Sequence, residues 1–165
     1  MTAFSLHRTS PASPAEVWDV LTDFAGHERF LPMTTMRVDP GDPRVGWGWA
    51  GVSGIGPLGF ADAMVLTRWE PPTADGHAAA GEGTAAGRFA MLKVGRVLDG
   101  WADVRVEPAP GGGAAVTWTE DISLRPRPLR RVSQPVVDRA ARAMFASALD
   151  AMLEEAARRA ARTAP

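Results

Sequence analysis

Residues 130–162 read RRVSQPVVDRAARAMFASALDAMLEEAARRAAR. Val136, Val137, Ala140, Ala141, Met144, Phe145, Ala148, Leu149 and Met152 recur at three- and four-residue intervals, the spacing of one helical stripe. Arg139, Arg142, Glu154, Glu155 and Arg158 fall mostly off that stripe. Ser133 as a cap and Pro135 in the first turn predict a helix from near Pro135 to about Arg159. Such a helix is not stable alone in water, because its apolar face needs a second layer to lie on. The rest of the chain must supply that layer.

It reads as a sheet. Segments 35–39, 46–54, 60–70, 88–98, 101–107 and 114–124 have strand character, and DPGDP, GIGPLG, PPTADG and PAPGGG separate most of them. Residues 71–87 (PPTADGHAAAGEGTAAG) read as a long loop. Ahead of these strands, residues 3–9 alternate with Phe4 and Leu6 on one face, giving a first strand. SPASPAEVW then opens a helix, with Ser13 as N-cap, Pro14 at the first position and Glu16 completing a capping box. Val17, Trp18, Val20, Leu21 and Phe24 form its apolar stripe, and a second short helix reaches about Phe30 before Pro32 stops it.

Asp99-Gly100 between strand-like runs favours a two-residue hairpin turn. That register sets Leu98 against Trp101, Val97 against Ala102, Arg96 against Asp103 and Val94 against Arg105. Arg96–Asp103 would then be a cross-strand ion pair on an exposed face. The inward face would carry Phe89, Met91, Lys93, Gly95 and Val97, opposite Ala102, Val104 and Val106. In 114–124 the inward set is Val116, Trp118, Glu120, Ile122 and Leu124. Pairing Val106 with Val116 sets Glu120 beside Ala102, with Lys93 too far along the sheet to reach it. A buried carboxylate needs a partner or it tends to stay protonated. Arg8, which shares a parity with Phe4 and Leu6, is the candidate. Asp62 is a second inward carboxylate if its strand faces that way. Strand 60–70 has apolar residues in both parities, so its inward face stays open, and a one-residue slip would reverse it.

Composition narrows the function classes. A chain of 165 residues fits one domain, 1–165, with its own core. A net charge of −1 gives no long-range field for nucleic acid or an anionic membrane. There is no cysteine, and His7, His27 and His77 lack metal-ligand spacing, so neither a metal nor a cofactor is expected. No apolar run approaches the ~20 residues of a membrane span. The N-terminus has no basic stretch followed by an apolar core, so a cytoplasmic protein is expected. GIGPLG lacks the Gly-Lys-Ser/Thr of a phosphate loop, and RPRPLRR (125–131) reads as a solvated connection into the last helix.

The order strand, capped helix, short helix, six strands, long helix resembles the helix-grip fold of the START-like or SRPBCC superfamily. SPAEVWDVLTDF followed by HERFLP is similar to that family's opening helices. GPLGFADAMVLTRWEPP, VLDGWADVRVEP and GGGAAVTWTEDISL are similar to its middle and final strands, in the manner of the polyketide cyclase/dehydrase-like branch. The resemblance implies an α+β chain: a curved antiparallel sheet of about seven strands, two short helices after the first, and a long C-terminal helix across the concave face. It also implies a cavity between sheet and helix. By position, Met64, Met91, Trp118, Glu120, Met144, Phe145 and Leu149 would line it, with Asp62, Trp47 and Trp49 as further additions. Gly95, Ala102, Ala141 and Ala148 would leave it space.

Core packing competes with ligand contact for Met91, Trp118, Met144 and Phe145. For Glu120 a structural ion pair competes with a ligand-orienting or acid/base role. The superfamily shares no catalytic motif, so function must come from the site. The first reading is a binding or carrier protein for a small hydrophobic molecule, lipid- or polyketide-like, with Glu120 as polar anchor. The alternative is a cofactor-independent cyclase or dehydratase using Glu120 or Asp62 as general base. A third is a dimeric module built on the exposed face around Leu92, Val94, Leu98 and Trp101; monomer and homodimer both stay open. Lack of a cysteine nucleophile, a triad or a metal set favours the first.

Overall fold

Ser13 starts the first helix as its side chain dictates. Its Oγ accepts the Glu16 N–H at 3.3 Å, and Glu16 Oε2 accepts the Ser13 N–H at 2.8 Å, with Pro14 in the first turn. A computed structural model describes residues 3–54, 59–72, 86–125 and 127–163, with the backbone alone for 127–134 and 137. Its elements are β1 (Phe4–Ser10), α1 (Pro14–Leu21), a 3₁₀ turn (Ala25–Arg29), β2 (Thr34–Val38), β3 (Gly48–Ser53), β4 (Phe60–Glu70), β5 (Gly87–Lys93), β6 (Leu98–Pro108), β7 (Ala114–Leu124) and α2 (Arg127–Thr163). The seven strands form one sheet in the order β1-β7-β6-β5-β4-β3-β2, antiparallel throughout. Most of the loop expected at 71–87, and the centre of GIGPLG, lie outside the described residues.

Val17, Trp18, Val20 and Leu21 bury the inner side of α1. Phe24 stacks on Trp49 at 4.3 Å between ring centres and also meets Trp47, Trp69 and Phe89. Trp47 and Trp49 are therefore core residues beneath Phe24, which fills one end of the concave face. His27 is buried beside it, its Nε2 donating to the Leu21 carbonyl at 3.0 Å. Burial lowers the His27 pKa to about 4, so the ring is neutral.

The hairpin expectation needs correcting. Asp99 and Gly100 lie inside β6, and the β5–β6 connection is residues 94–97. The pairs are Lys93 with Gly100, Met91 with Ala102 and Phe89 with Val104, six residues from the expected register. Eleven pairs between β6 and β7, from Leu98–Leu124 to Pro108–Ala114, outweigh the local turn preference. Gly100 has φ 146° and lies against the Asp121 carbonyl oxygen of β7, so it serves sheet packing instead of a turn. Asp103 accordingly pairs with Arg88 at 2.7 Å, and no Arg96–Asp103 cross-strand pair forms. The inward faces survive, because a six-residue slip is even and preserves side-chain parity. Phe89, Met91, Lys93, Ala102, Val104 and Val106 are all buried.

The two-sided pattern of β4 also has a cause. The β4–β5 register shifts between Leu66 and Arg68, a bulge that resets the alternation. Leu66 before it and Trp69 after it both pack against the core, and Asp62 and Met64 share Leu66's face.

α2 starts at Arg127, with Pro135 inside it, so Ser133 is not its cap. Proline removes only its own N–H donor and crowds the preceding turn. The proline that occupies the first turn is Pro128. Ala141, Ala148, Leu149, Met152, Leu153 and Ala156 are buried, and α2 rests on β7, β1 and α1. Among the described residues, no helix is long and apolar enough to cross a membrane.

Candidate ligand site

Three charged side chains from three strands meet on the concave face. Lys93 (β5) lies opposite Gly100, which has no side chain, and Ala102 is the next inward residue on β6. Its ammonium can therefore pass over β6 to Glu120 on β7, where Nζ stands 3.3 Å from Oε1. On its other side it donates to Asp62 Oδ2 of β4 at 2.7 Å. Trp118 Nε1 donates to the second Glu120 oxygen at 3.0 Å. Phe145 of α2 covers the group, its ring centre 5.6 Å from Nζ and 6.0 Å from the Trp118 ring. Lys93 and Glu120 side chains are each 1% exposed and Asp62 is 16% exposed, so Asp62 is the accessible member. That exposure is not at Oδ1, which is itself buried and has no hydrogen-bond partner among the described residues.

Burial acts to raise the Glu120 pKa, against the pull of Lys93 and the Trp118 N–H, and the net direction is up. For Lys93, burial acts downward but Glu120 and Asp62 outweigh it, and the ammonium holds its proton above the usual range. One cation faces two carboxyl groups, so Glu120 is a group that protonates readily. Both of its oxygens are engaged, whereas Asp62 Oδ1 is a buried acceptor without a partner among the described residues.

Sequence reasoning put Glu120 on this face, left the side of Asp62 open, and missed the partner of both. The shifted register brings Lys93 within reach, which the expected hairpin had denied. Arg8 is not the partner of Glu120: its Nε donates to Asp150 of α2 at 2.6 Å, and Glu120 stands opposite Phe4 instead. Lys93 had a readable signal, a lysine in the inward parity of Phe89 and Met91. Among the expected lining residues, Met91, Trp118, Glu120 and Leu149 are buried, and Met64 and Phe145 are partly buried against the core. Met144 is 46% exposed and does not line the layer. A helix turns 100° per residue, so with Phe145 facing inward its neighbour Met144 swings out beside Ala140 and Val136.

An open groove of about 600 Å³ lies elsewhere, between β1 and α2, and none of its lining residues belongs to this group. On the convex side Leu92 and Val94 are exposed, and Leu92 pairs with Trp101. Among the described residues, no three His, Asp or Glu side chains converge as metal ligands would.

A curved seven-stranded antiparallel sheet with α2 across its concave face and short helices after β1 is a helix-grip fold. The chain belongs to the family described as polyketide cyclase / dehydrase and lipid transport, whose model matches residues 1–161. It is similar in structure to the ZhuI aromatase/cyclase of a Streptomyces species, with 16% identity over 96% of this chain and 94% of that one, TM-score 0.65. A START superfamily protein from Mycobacterium smegmatis aligns at 11% identity over 93% and 97% of the two chains, TM-score 0.63. The di-domain aromatase/cyclase StfQ of the steffimycin biosynthetic pathway aligns at 10% identity, over 96% of this chain and 51% of that one, TM-score 0.65. No curated protein matches the sequence.

Proposed function

We propose that the chain holds a small hydrophobic molecule, lipid- or polyketide-like, between the concave sheet and α2. One observation carries this: the Asp62–Lys93–Glu120 group, covered by Phe145 on a face otherwise walled by Met91, Trp118 and Leu149. A mostly apolar wall with a few convergent polar groups is the usual anatomy of a small-molecule site. The ligand approaches from Asp62 and Met64, where cover is incomplete, and displaces part of that cover to reach the buried Asp62 Oδ1, which accepts its hydrogen bond. Native mass spectrometry of gently extracted protein tests the reading. A co-purifying lipid or polyketide-like metabolite, lost in Phe145→Asp, supports it; protein that stays empty with every apolar compound supplied overturns it.

A second reading is a cofactor-independent cyclase or dehydratase. The observation favouring it is the buried, unpartnered Oδ1 of Asp62 in the same group as Glu120, whose pKa burial raises. Asp62 then removes a proton from carbon next to a ketone, and the ammonium of Lys93 stabilises the charge that develops. Turnover of candidate polyketones by Asp62→Asn decides it: unchanged turnover removes Asp62 as the base.

A further inference from the structure

The groove between β1 and α2 is unused by that reading and has a chemistry of its own. α2 presents Arg139, Arg142, Ala143 and Ala146 to it, positions i, i+3, i+4 and i+7 that share one helical face. β1, the edge strand, presents Leu6, His7 and Arg8. The three guanidinium groups differ in availability. Arg8 is spent: it donates to both oxygens of Asp150, at 2.6 and 3.5 Å, and to the His7 carbonyl at 3.0 Å. Arg142 lies 5.5 Å over the Phe4 ring. A guanidinium held over a ring makes no hydrogen bond with it, so its N–H groups stay available for a two-pronged contact. Neither Arg139 nor Arg142 has a carboxylate partner among the described residues. His7 Nδ1 is 3.2 Å from Thr117 Oγ1, which leaves Nε2 uncommitted. The groove therefore carries two unneutralised positive charges beside an apolar strip of Leu6, Ala143 and Ala146.

We infer that this groove is a second binding site, for an amphiphile with a phosphate or carboxylate head. The head bridges Arg139 and Arg142, and the tail lies along Leu6, Ala143 and Ala146. The two alanines keep the strip open. The site is independent of Asp62, Lys93 and Glu120.

The full chain is titrated by calorimetry with n-octyl phosphate, 1-octanol and inorganic phosphate, beside phosphatidylcholine vesicles with and without phosphatidic acid. The expected result is one octyl phosphate per chain, bound about ten-fold more tightly than either 1-octanol or inorganic phosphate. Arg139→Gln/Arg142→Gln weakens octyl phosphate about ten-fold and leaves 1-octanol unchanged. Ala143→Trp, which keeps both charges and fills the groove from an exposed position, weakens octyl phosphate as well. Failure of octyl phosphate to bind overturns the inference, as does binding indifferent to the double substitution. Inorganic phosphate as tight as octyl phosphate removes the apolar strip from the site. Arginine-dependent capture by phosphatidic acid vesicles, with no binding of free octyl phosphate, assigns the groove to a membrane surface and overturns the amphiphile. Because Asp62→Asn leaves the groove untouched, octyl phosphate binding in that variant separates this site from the one proposed above.

Discussion

The Lys93 ammonium of β5 crosses β6 to stand 3.3 Å from the Glu120 carboxylate of β7, while Asp62 of β4 holds it from the other side at 2.7 Å. Removing the cation strands two acidic groups in the core. Lys93→Met should cost about 3–5 kcal/mol in urea unfolding. Adding Asp62→Asn and Glu120→Gln should recover much of it, since the polar group is then uncharged. A triple variant no more stable than Lys93→Met would show that charge is not the cause.

Glu120→Gln alone should be mild, within about 1 kcal/mol, because an amide resembles the protonated acid that burial favours. Folding raises the Glu120 pKa above its usual 4.5, so the folded chain binds this proton more tightly than the unfolded chain. Its contribution is full below that value and is lost as pH rises through the folded pKa. Stability curves against pH for the two proteins should therefore diverge as pH climbs above 4.5; parallel curves would contradict the shift.

His27 works in the opposite direction. Its pKa drops from 6.5 unfolded to about 4 folded, so between those values the unfolded chain takes a proton that the folded ring refuses. Stability is full above pH 6.5 and falls as pH drops through the window, by ~3 kcal/mol. His27→Gln should flatten that decline. The same slope in the variant would assign it to other groups.

Gly100→Ala should destabilise by about 1–3 kcal/mol, because alanine is strained at φ 146° and its Cβ meets the Asp121 carbonyl. Hydrogen exchange should speed up first along β6 and β7. Gly111→Ala is the control: its φ is also positive, at 97°, but a Cβ there meets nothing. If both variants exchange alike, the contact with β7 is not what Gly100 provides.

Some of this was legible in the linear chain. The capping box at Ser13–Glu16 is a local arrangement, set by residues three apart, and it forms as read. The alternation of Val116, Trp118, Glu120 and Ile122 placed a carboxylate inside, and pairing Val106 with Val116 located it beside Ala102. Asp99-Gly100 misled because its turn preference is small against eleven strand pairs with β7. Strand β4 was unreadable by alternation alone, because a bulge changes parity partway along it.

Side-chain parity, helix stripes and caps repeat at short intervals, so the sequence by itself determined the order of the elements and the inward faces of β1, β5, β6 and β7. Register along each strand pair, the outward turn of Met144 and the meeting of Asp62, Lys93 and Glu120 were decided only by the tertiary structure. Those depend on contacts between elements, where an even slip leaves every face unchanged and moves every neighbour, and the charged group joins residues as distant in the chain as Asp62 and Lys93. A lysine two strands from its carboxylate becomes its partner only when the residues between them are as small as Gly100 and Ala102.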